Sequence, residues 1–254
     1  MDQKVIVTAG ASGIGAAIAE KFLSQGALVH IADINPVQAL DDNSKQTSSI
    51  TDVSNEDQVA ALFEMALEKM GGLTTLVNCA GIAGPTAAIE NVELKDWRAC
   101  IAVNLDSTFL CSKYAVPHLK AARAGSIINI SSTAGQMGYP MRSPYSSAKW
   151  ALIGFTKTLA MELGPFGIRS NVICPGSVDG PRMDAVIAEE ARQKGIDEET
   201  VRKGYTYSAS LRTFISAQDI ANMVAFLASP EAEKVSGQAI PVDGHIVNAT
   251  FPED

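Results

Sequence analysis

Tyr145 and Lys149 stand four residues apart, in the run Ser143-Pro144-Tyr145-Ser146-Ser147-Ala148-Lys149. On a helix that spacing puts both side chains on one face. Tyrosine has a pKa of about 10 and is a poor base at neutral pH. A neighbouring ammonium favours the phenolate, and lowering the pKa by about 3 units needs roughly 4 kcal/mol of differential interaction. Such a pair can move a proton to or from a reacting oxygen. Ser132 closes the apolar run Ile127-Ile128-Asn129-Ile130-Ser131, where its hydroxyl could bond that same oxygen. Asn104 is an amide in an apolar setting and needs partners. The bland alternatives are a chance Tyr–Lys spacing and a serine that caps a turn.

A second group of residues suits phosphate and ribose. After the apolar run at Val5-Ile6-Val7 comes Thr8-Ala9-Gly10-Ala11-Ser12-Gly13-Ile14-Gly15. Glycines there allow a sharp turn and a close approach of backbone to a pyrophosphate, and a helix N-terminus behind them presents free N–H groups. Asp33 lies 18 residues beyond Gly15. An acid near that separation accepts hydrogen bonds from ribose hydroxyls and repels a 2′-phosphate, which favours NAD over NADP. The alternative is an ordinary turn aspartate. Asp52-Val53 and Asn78-Cys79-Ala80-Gly81 end two further apolar runs.

These residues need elements to hold them. Strands are expected at 4–9, 27–32, 48–53, 73–79, 126–131, 169–174 and 238–242. Helices are expected at 14–25, 56–70, 94–122 (one long helix), 144–163 and 217–227, with Ser143 as N-cap and Pro144 first in the fourth. Residues 34–45 are polar and weakly helical. The alternation implies a doubly wound α/β fold: a parallel sheet with helices on both faces, as one domain over 1–254. In such sheets ligands bind beyond the carboxyl ends of the strands, which gathers the residues above on one edge. Residues 179–213 break the rhythm. They are charged and poor in apolar side chains, and read as a substrate lid.

The 254 residues are 46% hydrophobic and carry a net charge of −8. That balance opposes a general nucleic-acid surface and attraction to anionic membranes, and no apolar run approaches a membrane span. The opening Met1-Asp2-Gln3-Lys4 lacks the basic start of a secretory signal. Cys79, Cys100, Cys111 and Cys174 show no C-x-x-C spacing. A cytoplasmic protein with reduced thiols is the expectation. His30, His118 and His245 lack metal-ligand spacing and read as structural or surface. Met137, Met141, Met183 and Tyr139 read as packing, with a place in the pocket wall as the alternative. Arg142, Arg182, Arg202 and Arg212 read as solvated charge, with contact to an anionic substrate as the alternative.

Taken in order, Thr8 to Gly15, Asp33, Asp52-Val53, Asn78 to Gly81, Asn104, Ser132, Tyr145-x-x-x-Lys149, Pro175-Gly176, Gly237-Gln238 and Val242-Asp243-Gly244 resemble the short-chain dehydrogenase/reductase family over almost the whole chain. The resemblance implies a seven-stranded Rossmann-like sheet and reversible hydride transfer between NAD and an alcohol/ketone pair. It makes Tyr145 the acid/base and Ser132 the substrate-orienting hydroxyl. Lys149 would bind the nicotinamide ribose and lower the Tyr145 pKa, and Asn104 would hold a proton-relaying water. The cofactor would further meet Ile34, Ala80, Pro175, Gly176 and the backbone of Val178. A homotetramer is implied, built on the helices near 94–122 and 144–163 and the last strand, with Leu152, Phe155 and Leu159 as contact candidates. Rival readings are a 3-oxoacyl-carrier-protein reductase, which Asp33 opposes, and a catalytically silent NAD-binding regulator. Three positions depart from the pattern. Ala9 replaces the first loop glycine, which requires an ordinary negative φ or a shifted loop. Gly180 replaces a threonine, and His245 a second late glycine.

Overall fold

The computed structural model describes residues 3–37 and 45–246; residues 38–44, within the polar stretch 34–45, lie outside it. Seven parallel strands form one sheet: β1 Lys4–Thr8, β2 Leu28–Asp33, β3 Gln46–Ile50, β4 Thr75–Asn78, β5 Gly125–Ile130, β6 Ile168–Pro175 and β7 Ala239–Val242, in the order β3-β2-β1-β4-β5-β6-β7. The side-chain period of two sorts the apolar runs between two cores. Ile6, Leu76 and Ile127 face α2 (Glu56–Met70), α4 (Ser107–Ala122) and α5 (Ser143–Leu163). Val5, Val7, Val77, Ile128 and Ile130 face α1 (Gly13–Ser24) and α8 (Ala217–Ala228). Burial on both faces explains why these strands read as nearly unbroken hydrophobic runs. No helix among the described residues is long and apolar enough to cross a membrane.

The strand order reverses between β1 and β4, which opens a crevice at their carboxyl ends. Thr8 Oγ1, at the end of β1, accepts the N–H groups of Cys79 (2.9 Å) and Ala80 (3.1 Å), and so ties the turn after β4 to the glycine loop.

Several expectations need correction. The third strand runs over 46–50, not 48–53, because its pairing with β2 stops where β2 ends, at Asp33↔Ile50. Asp52 and Val53 therefore lie in the turn beyond it. The helix expected over 94–122 is interrupted: α3 (Leu94–Ile101) passes through a π-helical turn, Ala102–Asp106, into α4. Ser143 is the first helical residue of α5 and not its cap, because the Arg142 carbonyl already accepts the Ser146 N–H at 2.9 Å. Ala9 takes φ +54, not a negative φ. Its N–H stays bonded to Ala32 O (2.7 Å) while the chain must already turn, and the left-handed region satisfies both demands. Leu152 and Leu159 are buried, so these two do not offer an outer face, whereas Phe155 is half-buried.

Residues 179–213 form α6 (Pro181–Lys194) and α7 (Glu198–Tyr207), which pack on each other through a small core of Ile187, Ala191, Val201 and Tyr205. The segment thus buries apolar surface of its own, contrary to its charged composition. Gly180, at φ +136, precedes α6 in a conformation that L-residues rarely adopt.

Candidate active site

The glycine loop caps the crevice. A β-carbon at Gly15 would lie 2.1 Å from the Ala9 carbonyl oxygen, so α1 starts this close to β1 only with glycine there. Gly13 sits at φ +54, with open space where a side chain would be. The exposed Ser12 precedes α1 and makes no side-chain capping bond. The first N–H groups of α1 thus open onto the crevice. Ile14 turns inward onto the α1–α8 core.

Asp33 ends β2 at the edge of the crevice. It is 7% exposed. Its Oδ2 accepts the Ala11 N–H at 3.0 Å, and its Oδ1 accepts the Asn35 N–H at 2.9 Å. The acid therefore braces the glycine loop as well as facing the crevice. Ile34, the next residue, is exposed. Asp52 is held in its turn by the Ser54 N–H (2.9 Å) and hydroxyl (2.7 Å), and Val53 is buried.

Asn78 behaves differently from its neighbours. Its side chain points into the interior, where Nδ2 donates to Asn129 Oδ1 (2.8 Å) and Asn129 Nδ2 donates to Thr156 Oγ1 (2.8 Å). This ladder ties β4, β5 and α5 together, so only the Asn78 backbone borders the crevice. Ala80 and Gly81 continue along it. A β-carbon at Gly81 would sit 2.7 Å from Asn104 Oδ1 and 3.3 Å from Lys149 Nζ, so this glycine lets both groups approach.

Tyr145, Lys149, Ser132 and Asn104 come together from three places: α5, the turn after β5 and the π-helical turn. Lys149 is 4% exposed; its Nζ donates to Ile130 O at 2.9 Å and lies 5.6 Å from the Tyr145 ring centroid. Burial pushes the Tyr145 phenol up, but the charges of Lys149 and Arg182, a hydrogen bond with Ser132 and the charge of Arg142 outweigh it, and the phenol is held below its ordinary range. Lys149 is itself lowered, first by burial, against the opposing pull of Tyr145. Ser132 sits just past β5, where its Oγ also accepts the Ala134 N–H at 3.1 Å. Asn104 lies in the π-helical turn; its Nδ2 donates to Ile82 O (3.0 Å) and Cys100 O (2.9 Å), while the buried Oδ1 has no protein partner. A polar atom buried without a partner marks a place for water or ligand.

At the far side Pro175 ends β6, and the Gly176 N–H donates to Val242 O at 3.0 Å. Val178 bridges Ile215 through the Ser177 carbonyl and the Asp179 N–H, which turns Val178's own N–H and C=O the other way. His245 keeps φ +66 where the second late glycine was expected, and its Nδ1 bonds Ser210 Oγ at 2.8 Å.

The sequence reading missed two contributors. One is Thr8, whose hydroxyl spans two turns. The other is Arg142, which is buried although it was read as solvated. Of the other arginines, Arg202 pairs with Asp179 and Asp184, and Arg212 lies over the Tyr207 ring.

A loop with open Gly13, a helix N-terminus behind it, a carboxylate after β2 and free polar backbone at Val178 together fit an extended dinucleotide. Fold and site thus define a Rossmann-like α/β protein with Tyr145, Lys149 and Ser132 gathered at the carboxyl edge of its parallel sheet. Comparison with known proteins agrees. A family model described as enoyl-(acyl carrier protein) reductase matches residues 8–245. The chain is 34% identical to cis-4-hydroxycyclohexanecarboxylate dehydrogenase of Sinomonas cyclohexanicum, over 96% of each chain. It is 34% identical to 3-oxoacyl-[acyl-carrier-protein] reductase of Thermotoga maritima, over 95% of this chain and 96% of the relative. An NAD+-bound xylitol dehydrogenase superposes with a TM-score of 0.90 at 25% identity, over 96% of this chain and 98% of the other. The chain belongs to the short-chain dehydrogenase/reductase family of oxidoreductases.

Proposed function

We propose that this chain is an NAD-dependent dehydrogenase/reductase that interconverts a secondary alcohol and its ketone, with Tyr145 as the acid/base. The observation that carries the reading is the Tyr145 phenol held low beside the buried Lys149 and the half-buried Ser132. Bound NAD would supply the hydride acceptor in oxidation and, reduced, the donor in the reverse direction. Tyr145 Oη holds the proton that the substrate oxygen loses or gains. Ser132 Oγ fixes that oxygen by a hydrogen bond, and Lys149 keeps the phenolate accessible at neutral pH while offering its ammonium to the nicotinamide ribose. The unpartnered Asn104 Oδ1 would hold the water through which the proton reaches solvent.

Asp33 supports NAD over NADP. It is buried and pinned by N–H donors at the end of β2, so a 2′-phosphate bound there would stand against a fixed negative charge. The acyl-carrier-protein reductase reading draws on one named relative and on the family model's description, and Asp33 opposes it if NADPH is the reductant. Homotetramers would use Phe109 of α4 and Trp150 and Met161 of α5, which are 47%, 50% and 82% exposed. Residues 179–213 would close over the substrate. A screen of secondary alcohols with NAD, followed by NADH absorbance, tests the reaction. Oxidation by wild type and its absence in Tyr145→Phe is the expected result; equal turnover by both would overturn it.

A further inference from the structure

Arg142 is 9% exposed, and none of the ion pairs among the described residues includes it. Among the described residues its side chain makes one hydrogen bond, from Nη2 to the Ala83 carbonyl at 3.0 Å, and its Nε is buried without a partner there. A guanidinium carries five donors, so most of this one's capacity is unused. Burying an unneutralised cation is costly, by several kcal/mol. The location adds to that cost. Arg142 is the residue that caps the N-terminus of α5, where the helix dipole is positive and disfavours a cation. Every other consideration on that spot favours an anion.

The guanidinium carbon lies over the Tyr145 ring, 5.2 Å from its centroid. The charged groups that bear on Tyr145 are Lys149, Arg182 and Arg142, all cations. Arg182 reaches in from α6, where its Nη1 donates to Gly81 O at 3.3 Å. A chain of net charge −8 has thus gathered three positive charges around one phenol. Such a local inversion concentrates anions and orients them.

We propose that the substrate is a carboxylate, a short hydroxy acid and its oxo acid, and that Arg142 is the specificity-determining residue that receives the carboxylate through paired charge-assisted hydrogen bonds, with Arg182 adding positive charge at the mouth. This rests on the alcohol/ketone reading above. Planar guanidinium matches planar carboxylate in a way that lysine's ammonium does not. With the carboxylate fixed there, the carbinol carbon is presented to Tyr145 Oη at a set reach, so the position of the hydroxyl along the acid is selected too.

The test compares short 2-, 3- and 4-hydroxy acids with their methyl esters, in wild type, Arg142→Gln and Arg142→Lys. Wild type is expected to prefer one acid over its ester by a hundredfold or more in kcat/KM. Both substrates share any change that the lost charge makes at Tyr145, so Arg142→Gln should lower kcat/KM for the acid at least tenfold more than for its ester, chiefly through KM, and Arg142→Lys should fall between. If Arg142 is a strut for the Ala83 loop, Arg142→Gln lowers acid and ester turnover alike, and the proposal fails. Esters turned over as fast as acids by wild type also overturn it, yet leave the role of Tyr145 standing. No oxidation of acid or ester by wild type would defeat the underlying alcohol reading instead. Calorimetry with butanoate gives a readout apart from turnover: binding by wild type, weakened at least tenfold in Arg142→Gln, is expected, and equal binding by both refutes the assignment.

Discussion

Asp33 and Arg142 are both buried charges on the ligand edge of the sheet, yet they are held in opposite ways. Asp33 is satisfied by its own chain, with N–H groups of Ala11 and Asn35 on its two oxygens. Arg142 has one carbonyl partner and an idle Nε. A charge that the protein satisfies is part of the scaffold and shapes a ligand by repulsion as much as by attraction. A charge that the protein leaves open gains its partner from the ligand. The adenosine end is therefore complete before anything binds, and the substrate end is not.

The largest expected effect breaks the substrate end. Tyr145→Phe removes the proton-transferring oxygen and should cost 10²–10⁴-fold in kcat, the usual worth of acid–base catalysis, with NAD affinity changed little. Steady-state kinetics and NAD titration check both halves. Oxidation by wild type should rise with pH through a value below that of an ordinary phenol, because the phenolate is the working form and its neighbours hold the pKa low.

His30 sharpens the contrast, as a buried group on β2 kept without charge. Its ring nitrogens meet Thr47 Oγ1 (2.8 Å) and Ser49 Oγ (3.1 Å), and burial lowers its pKa from 6.5 to about 4. The unfolded chain then binds a proton at a higher pH than the folded one does. Its contribution is fully present above about pH 6.5 and is lost as pH falls toward 4, amounting to roughly 3 kcal/mol. Urea unfolding between pH 7 and 4 should show that decline, with a shallower slope in His30→Gln; parallel slopes would remove His30 as the cause.

Asp33→Ala attacks the complete end. Loss of hydrogen bonds to a charged group is worth about 1.5–3 kcal/mol, so the NAD-over-NADP ratio in kcat/KM should shrink by about ten- to a hundredfold. Because Ala11 also loses its acceptor, part of the change should appear as weaker NAD binding. An unchanged ratio would detach Asp33 from cofactor choice.

The smallest effect lies in the loop between the two ends. Ala9 sits at φ +54, which costs a non-glycine residue about 1–2 kcal/mol. Ala9→Gly relieves that strain but loosens the unfolded chain by about 0.5–1 kcal/mol. The variant should be up to about 1 kcal/mol more stable, read as a rise in Tm. A clear destabilisation would mean that the Ala9 methyl group matters more to the core than its backbone does.

What the sequence determined by itself was local or periodic. The strand runs other than β3, the glycine loop before a helix, the acid that ends β2 and the i,i+4 spacing of Tyr145 and Lys149 each follow from short-range chemistry, and each lies close to where that chemistry places it. Tertiary structure decided what depends on partners far along the chain. The end of β3 is set by β2 and the φ of Ala9 by its bond to Ala32, while the π-helical turn at Asn104 packs against α5. Apolar Leu152 and Leu159 looked like an outer face because a helical stripe shows its period and not which side the sheet lies on. Arg142 looked solvated for the matching reason: a residue's charge is legible in one letter, whereas its burial, and whether any ion pair among the described residues includes it, exist only once the chain has folded around it.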